Sequence, residues 1–255
     1  MSSLLAAERP VPPWLITESY EDRRLGTLKS GKEAEVFLVE RIGTTGSCFL
    51  AHKRYRPRTP AYKGELRELG FSKGTIYRSD AVYRAGWNLN ARDRRAVAKH
   101  TDHGRDVVAA AWPVNELQML RRAWTAGVSV PYPVDVVDDG VLMEFCGEGP
   151  VAAPRLVDAR LDQPGLANAW SQFADAIRAL TRAGIVHADL SVYNLLWWRG
   201  RVVVIDFPQA VDVIVNPAAP GLLHRDVVNV ATWFGRHGVH VDAERVFGGL
   251  LSEMW

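Results

Sequence analysis

The chain has 255 residues, 47% of them apolar, 24% charged and 9% aromatic, a composition that supplies a core and excludes wholesale disorder and fibrous architectures. At this length one large domain and two packed lobes both fit. Net charge is only +2, and the longest apolar run, the eight residues of Val107–Val114, falls well below the ~18 that a membrane-spanning helix needs.

The N-terminus, MSSLLAAERPVPP, has no basic leader, and its apolar stretch Leu4–Ala7 is short of the roughly 7–15 residues of a signal peptide. Cys48 and Cys146 are the only cysteines and lie 98 positions apart, so they spell neither a disulfide framework nor a metal-ligand spacing. No membrane association and a cytoplasmic, reducing location are the expectation.

Residues Val11–Glu18 read as an irregular, proline-rich lead-in. Leu25–Glu40 reads as strand, turn and strand, with the turn at Ser30–Gly31, and Ser47–Tyr55 as a further strand ending in basic residues. From Arg56 to Arg105 periodicity is poor, which suggests a functional loop or helices without a clear pattern. This stretch also hides a charge asymmetry. Between His52 and Arg105 fourteen Lys and Arg face five acids, a net of +9 that leaves −7 for the rest of the chain. Such a segment suits a phosphate-rich partner such as a nucleotide or RNA, and equally suits a solvated loop.

Regular structure returns at Val107–Ala126, where Leu117, Leu120 and Trp124 recur at helical spacing, Gly127 stands at the C-cap, and Glu116 is carried along. Val134–Val137 and Val141–Phe145 form a hairpin across Asp138-Asp139-Gly140. The chain then loosens at Gly147-Glu148-Gly149-Pro150, the best candidate for a boundary between lobes. Leu166, Trp170, Phe173, Ile177 and Leu180 mark an amphipathic helix stopped by Gly184. A hairpin follows, Leu195–Trp198 and Val202–Ile205 turned at Arg199-Gly200, and Gly221–Trp255 reads as mostly helical. Strands before residue 146 and helices after it give an α+β, two-lobed layout: residues 1–145 as a small antiparallel-sheet lobe, 146–255 as a mainly helical lobe, and a ligand cleft between them.

The sharpest chemical feature is His187-Ala188-Asp189-Leu190-Ser191-Val192-Tyr193-Asn194, which sets an Asp and an Asn five positions apart in a loop, with Asp206 twelve residues further on. Each of the three also suits a turn. Together, with a hairpin between them, they match what phosphoryl transfer needs: Asp189 to orient a hydroxyl and take its proton, Asn194 and Asp206 as hard oxygen ligands for Mg²⁺.

These residues, with Ser30-Gly31-Lys32-Glu33-Ala34-Glu35-Val36, Val141–Leu156 (VLMEFCGEGPVAAPRL) and Ile205-Asp206-Phe207-Pro208-Gln209, resemble the RIO-type atypical protein kinases over about residues 25–240. An ordinary protein kinase has a GxGxxG loop, D-F-G and A-P-E. Here only Gly31 stands in the first loop, Asp206 is followed by Phe-Pro-Gln, and no A-P-E occurs, which is the RIO pattern.

The resemblance implies a protein-kinase-like fold that transfers the γ-phosphate of ATP to serine, with Mg²⁺ as the metal and Mn²⁺ as a substitute. It implies that Ser30, Gly31, Lys32, Glu33 and Val36 cap the nucleotide. Lys53 would touch the α- and β-phosphates, paired with Glu116. Alternation along Phe49, Ala51 and Lys53 puts Lys53, and not Arg54, on the face with small and apolar side chains. Met143, Glu144 and Cys146 would line adenine, the Glu144 carbonyl and the Cys146 amide meeting its edge. His187 would order the catalytic loop, while Tyr193, Leu195 and Leu196 would pack under the nucleotide. Asp206 either holds the metal or receives the phosphoryl group itself, giving an aspartyl-phosphate and an ATPase-like cycle. The basic segment 52–105 coincides with the family's flexible loop and would suit an RNA-bearing or ribosomal assembly; the protein substrate stays unknown. Two rival readings remain: a small-molecule phosphotransferase of the aminoglycoside or choline kinase kind, which shares H-x-D-x-x-x-x-N, and a nucleotide-switched RNA adaptor.

Overall fold

The computed structural model describes residues 10–32, 34–55, 101–137 and 140–254, and positions 92, 95 and 99, with backbone alone for 102–111. Glu33, nearly all of the basic segment expected to meet RNA, and the hairpin residues Asp138 and Asp139 lie outside the described residues.

The first three strands are β1 (Tyr20–Ser30), β2 (Ala34–Gly43) and β3 (Gly46–Tyr55), and a later hairpin supplies β4 (Pro133–Val137) and β5 (Gly140–Glu144). They form one antiparallel sheet in the order β1-β2-β3-β5-β4. The expected hairpins and strands are all present. β1 starts five residues before the expected Leu25, because nearly all its residues are exposed and an exposed strand need not alternate in hydropathy.

Cross-strand register sorts the sheet's two faces. Val36, Lys53 and Val141 lie side by side, as do Leu38, Ala51 and Met143, and apart from Lys53 these residues belong to the main core or pack against it. The opposite face carries Val39, Leu50 and Leu142, covered by Trp14, Leu15 and Val134. The proline-rich lead-in is therefore a lid on the outer face. Gly140 is demanded by closeness: a Cβ there would lie 2.4 Å from the Lys53 carbonyl oxygen and 2.7 Å from His52 Nε2.

Helix α1 (Asp102–Thr125) crosses behind the sheet. Its end is a Schellman turn: Val128 N–H donates to the Ala123 carbonyl and Gly127 N–H to that of Trp124, with Gly127 at φ +83°, as a C′ glycine should be. The stretch expected to loosen after Phe145 instead forms a two-residue hairpin, β6 (Gly147–Glu148) with β7 (Val151–Ala152). Strands this short leave no period in the sequence.

Helix α2 (Gln163–Arg182) opens on Asp162, whose carboxylate accepts from Gly165 N–H at 2.9 Å, and is followed by Gly184 at φ +70°. Then come β8 (Ile185–Val186), the hairpin β9 (Leu195–Trp198) and β10 (Arg201–Val204), β11 (Val211–Asp212), α3 (Ala219–Arg236) and α4 (Ala243–Leu251). One core joins both halves, running from Leu38 and Ala51 in the sheet through Leu120 and Phe173 to Phe207 and Phe234. Among the described residues no helix is long and apolar enough to cross a membrane.

Candidate functional site

Three elements that are distant in the chain meet around Lys53. Its ammonium donates to Glu116 Oε1 at 2.7 Å and to Asp206 Oδ1 at 2.5 Å. Glu116, on α1, is 1% exposed. Its Oε1 also accepts from Phe207 N–H at 3.1 Å, and its Oε2 accepts from the Tyr55 hydroxyl. A buried carboxylate needs donors on both oxygens, and this one has three. Sequence placed Lys53, Glu116 and Asp206 at the site, and all three meet. Tyr55 was missed, although it is two positions from Lys53 and therefore on the same strand face.

Electrostatics follow from that arrangement. Burial acts to lower the Lys53 pKa, but the charges of Asp206 and Glu116 override it and hold it well above the usual lysine value. Burial acts to raise that of Asp206, and the Lys53 charge and hydrogen bond outweigh it, so the carboxyl stays below the ordinary aspartate range. Tyr55 is pushed well up by burial and by Glu116. The site is thus an ammonium locked between two carboxylates.

The residues of the loop around Asp189 are held differently. Asp189 is exposed, yet its neighbours Ala188 and Leu190 are 2% and 1% exposed. Their amides donate to the two oxygens of Asp226, at 2.7 Å and 2.9 Å, and the Ala188 carbonyl accepts from Arg225. Asp226 lies in α3 with no exposed surface, and burial raises its pKa to about 6, against the pull of those two amides. It was missed in the sequence. Its signal was an acid on the apolar face formed by Leu222, Leu223, Val227 and Val230, a placement that demands buried donors.

Asn194 Nδ2 donates to the Asp189 carbonyl at 2.8 Å, which fixes the amide so that its oxygen is the remaining acceptor end. Ile205 N–H donates to the Asn194 carbonyl at 3.0 Å, placing Asp206 one residue from Asn194's backbone. The His187 Nε2 pairs with the Ile205 carbonyl at 3.0 Å, and the ring packs on Phe207. Burial drives its pKa down to about 4, which leaves the ring neutral at neutral pH. Ala188 and Asp206 both have positive φ, +66° and +75°. Such strain in non-glycine residues persists only where surroundings over-determine it and clusters at functional sites. Here Asp226, Arg225 and Lys53 supply the constraint.

At the other expected positions, Gly31 N–H closes a tight turn onto the Ala34 carbonyl at 2.9 Å, and a Cβ on Gly31 would sit 3.2 Å from that oxygen. Ser30 Oγ lies 3.5 Å from Glu35 Oε1, Lys32 is exposed, and Val36 is half-buried beside Lys53. In the connector, the Glu144 amide donates to the Tyr132 carbonyl and the Cys146 carbonyl accepts from Ala153 N–H. The Glu144 carbonyl and the Cys146 amide, the groups expected against adenine, are the other two. Met143 is 9% exposed. Burial raises the pKa of the Glu144 carboxyl and, more strongly, that of the Cys146 thiol, so Cys146 is unreactive. Leu195 is fully buried, whereas Tyr193 is 55% exposed and contributes nothing to the core; it lies 6.0 Å below the Arg155 guanidinium.

The donors suited to a metal are Asn194 and Asp206, both hard oxygens. Among the described residues no cluster of three His, Cys, Asp or Glu occurs. Two protein oxygens fit Mg²⁺, which keeps its remaining positions for phosphate and water, and do not fit an all-protein cage.

A family model described as the RIO domain matches residues 76–246. The chain is 36% identical over 170 residues to the RIO-type serine/threonine-protein kinase Rio1 of Haloferax volcanii, covering 63% of this chain and 58% of that protein. Among solved structures it resembles the Rio2 kinase from Chaetomium thermophilum, with a TM-score of 0.56 and 18% identity over 92% of this chain and 63% of that one. The same kinase as an ADP/Mg²⁺-phosphoaspartate complex gives a TM-score of 0.53 and 17% identity over 90% and 61%. The chain thus spans about three fifths of the length of each. At this identity the two structures speak for the fold, which is the two-lobed protein-kinase-like one.

Proposed function

The chain belongs to the RIO domain family, and from that premise we propose that it is an ATP- and Mg²⁺-dependent protein serine/threonine kinase able to phosphorylate itself. The observation that carries this reading is the Lys53 ammonium shared between Glu116 and Asp206, beside a loop that presents Asp189 to solvent.

On this reading the sheet lobe ends near Phe145 and the helical lobe begins near Cys146. Adenine lies against Met143, with the Glu144 carbonyl and Cys146 amide along its edge, and Ser30–Val36 caps the phosphates. Lys53, kept charged and aimed by Glu116, binds the α- and β-phosphates. Asn194 and Asp206 would hold Mg²⁺, which when bound supplies neutralisation of phosphate charge. Asp189 accepts a hydrogen bond from the attacking hydroxyl and takes its proton as the new oxygen–phosphorus bond forms and the bond from the γ-phosphorus to the β–γ bridging oxygen breaks, releasing ADP. His187 keeps the loop in register with Asp206 and exchanges no proton. A cytoplasmic location, and an RNA-bearing partner for the basic segment, belong to the same proposal. So does the alternative product, an acyl phosphate on Asp206; the phosphoaspartate in the Chaetomium thermophilum complex supports testing for it.

Purified protein given γ-labelled ATP and Mg²⁺ should take up label, and Asp189→Ala should abolish uptake without changing the thermal melt. Undiminished labelling would remove Asp189 from its role. Label released by hydroxylamine identifies an acyl phosphate; label that resists it identifies phosphoserine or phosphothreonine.

A further inference from the structure

Two cations at the mouth of the cleft take no part in the arrangement above. Lys29 stands on β1 directly before the Ser30–Gly31 turn. Register pairs it with Val36, which pairs with Lys53, and directly paired residues project from the same face. Lys29 is therefore on the cleft side of the sheet, two strands from Lys53 in one transverse row. Arg155 comes from the opposite lobe. Its backbone is fastened to the strand that follows the catalytic loop: Arg155 bridges Leu196, and Trp197 N–H donates to the neighbouring Pro154 carbonyl at 2.9 Å. Its guanidinium stands over the ring of Tyr193, next to Asn194.

Arg155 is near enough for its charge to repel that of Lys29. After burial, the largest influence on Lys29 is repulsion from Arg155, with Asp206 pulling the other way and Lys53 adding to the repulsion; together they hold the Lys29 pKa below its usual value. Among the described residues neither Lys29 nor Arg155 is in a salt bridge, whereas Lys53 has two. Like charges brought together across a cleft call for an anion between them. The position of Lys29 selects which anion: its side chain is exposed at the end of β1, on the Lys53 face and within the field of Asp206, where the phosphates of a nucleotide held by Lys53 would reach.

We infer that Lys29 and Arg155 form a cationic clamp, one jaw from each lobe, on the polyphosphate of the bound nucleotide, and that this clamp gives the site its preference for the triphosphate over shorter nucleotides. The inference rests on the nucleotide reading given above. It adds two phosphate-binding residues to Lys53 and gives the lobes a reason to close when the anion is present.

Calorimetric titration with adenosine, AMP, ADP and ATP in Mg²⁺ tests it, using the parent, Lys29→Met, Arg155→Met and the conservative Lys29→Arg and Arg155→Lys. Methionine keeps an apolar stem and removes the charge, and a thermal melt of each variant checks folding. Each methionine variant should lose about tenfold or more in ATP affinity, as expected for a charge-assisted contact. The loss should shrink through ADP and AMP, vanish for adenosine, and be largely absent in the conservative variants. An equal loss for adenosine would mean a structural role and overturn the clamp. So would unchanged ATP affinity, including the case in which phosphorylation of an acidic peptide falls instead. A parent protein that binds no ATP would overturn the nucleotide reading itself, an outcome distinct from a variant that matches its parent.

Discussion

Lys53 and Asp189 reach the same cleft by opposite means. Lys53 is held by side chains: a buried carboxylate behind it, a second in front, and a tyrosine hydroxyl on the far oxygen of the first. Asp189 is held by main chain, its flanking amides gripped by an aspartate on a helix 36 residues or more away in sequence. The charge that must be buried is fixed by other charges. The exposed carboxylate is fixed through the backbone amides on either side of it. A site built the first way gains an ion network; one built the second way gains its geometry from the backbone.

Breaking the charge network should cost most. Glu116→Ala leaves the Lys53 ammonium with Asp206 alone and strands the Tyr55 hydroxyl and the Phe207 amide, and removing one partner of a buried pair costs about 3–5 kcal/mol. Urea unfolding should show that loss, and a variant within 1 kcal/mol of the parent would make the network ornamental.

His187 joins the two regions through Ile205, and its titration should be visible. Its pKa is depressed to about 4 in the folded chain, chiefly by burial, against an ordinary 6.5. The unfolded chain therefore takes up the proton first, so this contribution is complete above about pH 6.5 and is lost as the pH falls toward 4. The difference corresponds to about 3 kcal/mol. Unfolding at pH 7, 5.5 and 4.5 should trace that loss, and His187→Gln should flatten it; a slope unchanged in the variant would assign the acid sensitivity elsewhere.

The main-chain device should be weaker in stability and stronger in activity. Asp226→Asn leaves one of the two loop amides poorly matched, a cost of about 1–3 kcal/mol, while phosphoryl transfer falls further than ATP affinity because Asp189 loses its aim. Equal falls in both would mean that the grip on the loop serves folding alone. Smallest of all, Arg199→Ala removes an exposed pair with Glu148 and should shift stability by less than about 1 kcal/mol.

The two regions also differed in how far they could be read in advance. Lys53 was legible because strand alternation separated it from Arg54, and Asp189 and Asn194 because their spacing in one loop is itself a pattern. Glu116 needed the resemblance, since nothing local distinguishes a buried helix acid from an exposed one. Asp226 escaped because its partners are peptide amides, which no side-chain pattern encodes, although an acid on an apolar helix face was a usable signal. Lys29 and Arg155 escaped because their meaning is mutual: each is an unremarkable surface cation until the fold sets them across one cleft. The β6–β7 hairpin escaped because two-residue strands carry no periodicity.

The central claim is that Asp206 and Asn194 gather a divalent ion against a nucleotide that Lys53 holds. The most direct measurement is ATP affinity with and without Mg²⁺ for the parent and for Asp206→Asn, by calorimetry. The account predicts that Mg²⁺ strengthens ATP binding to the parent and that the variant loses this strengthening. Strengthening by Mg²⁺ that is undiminished in Asp206→Asn would contradict it.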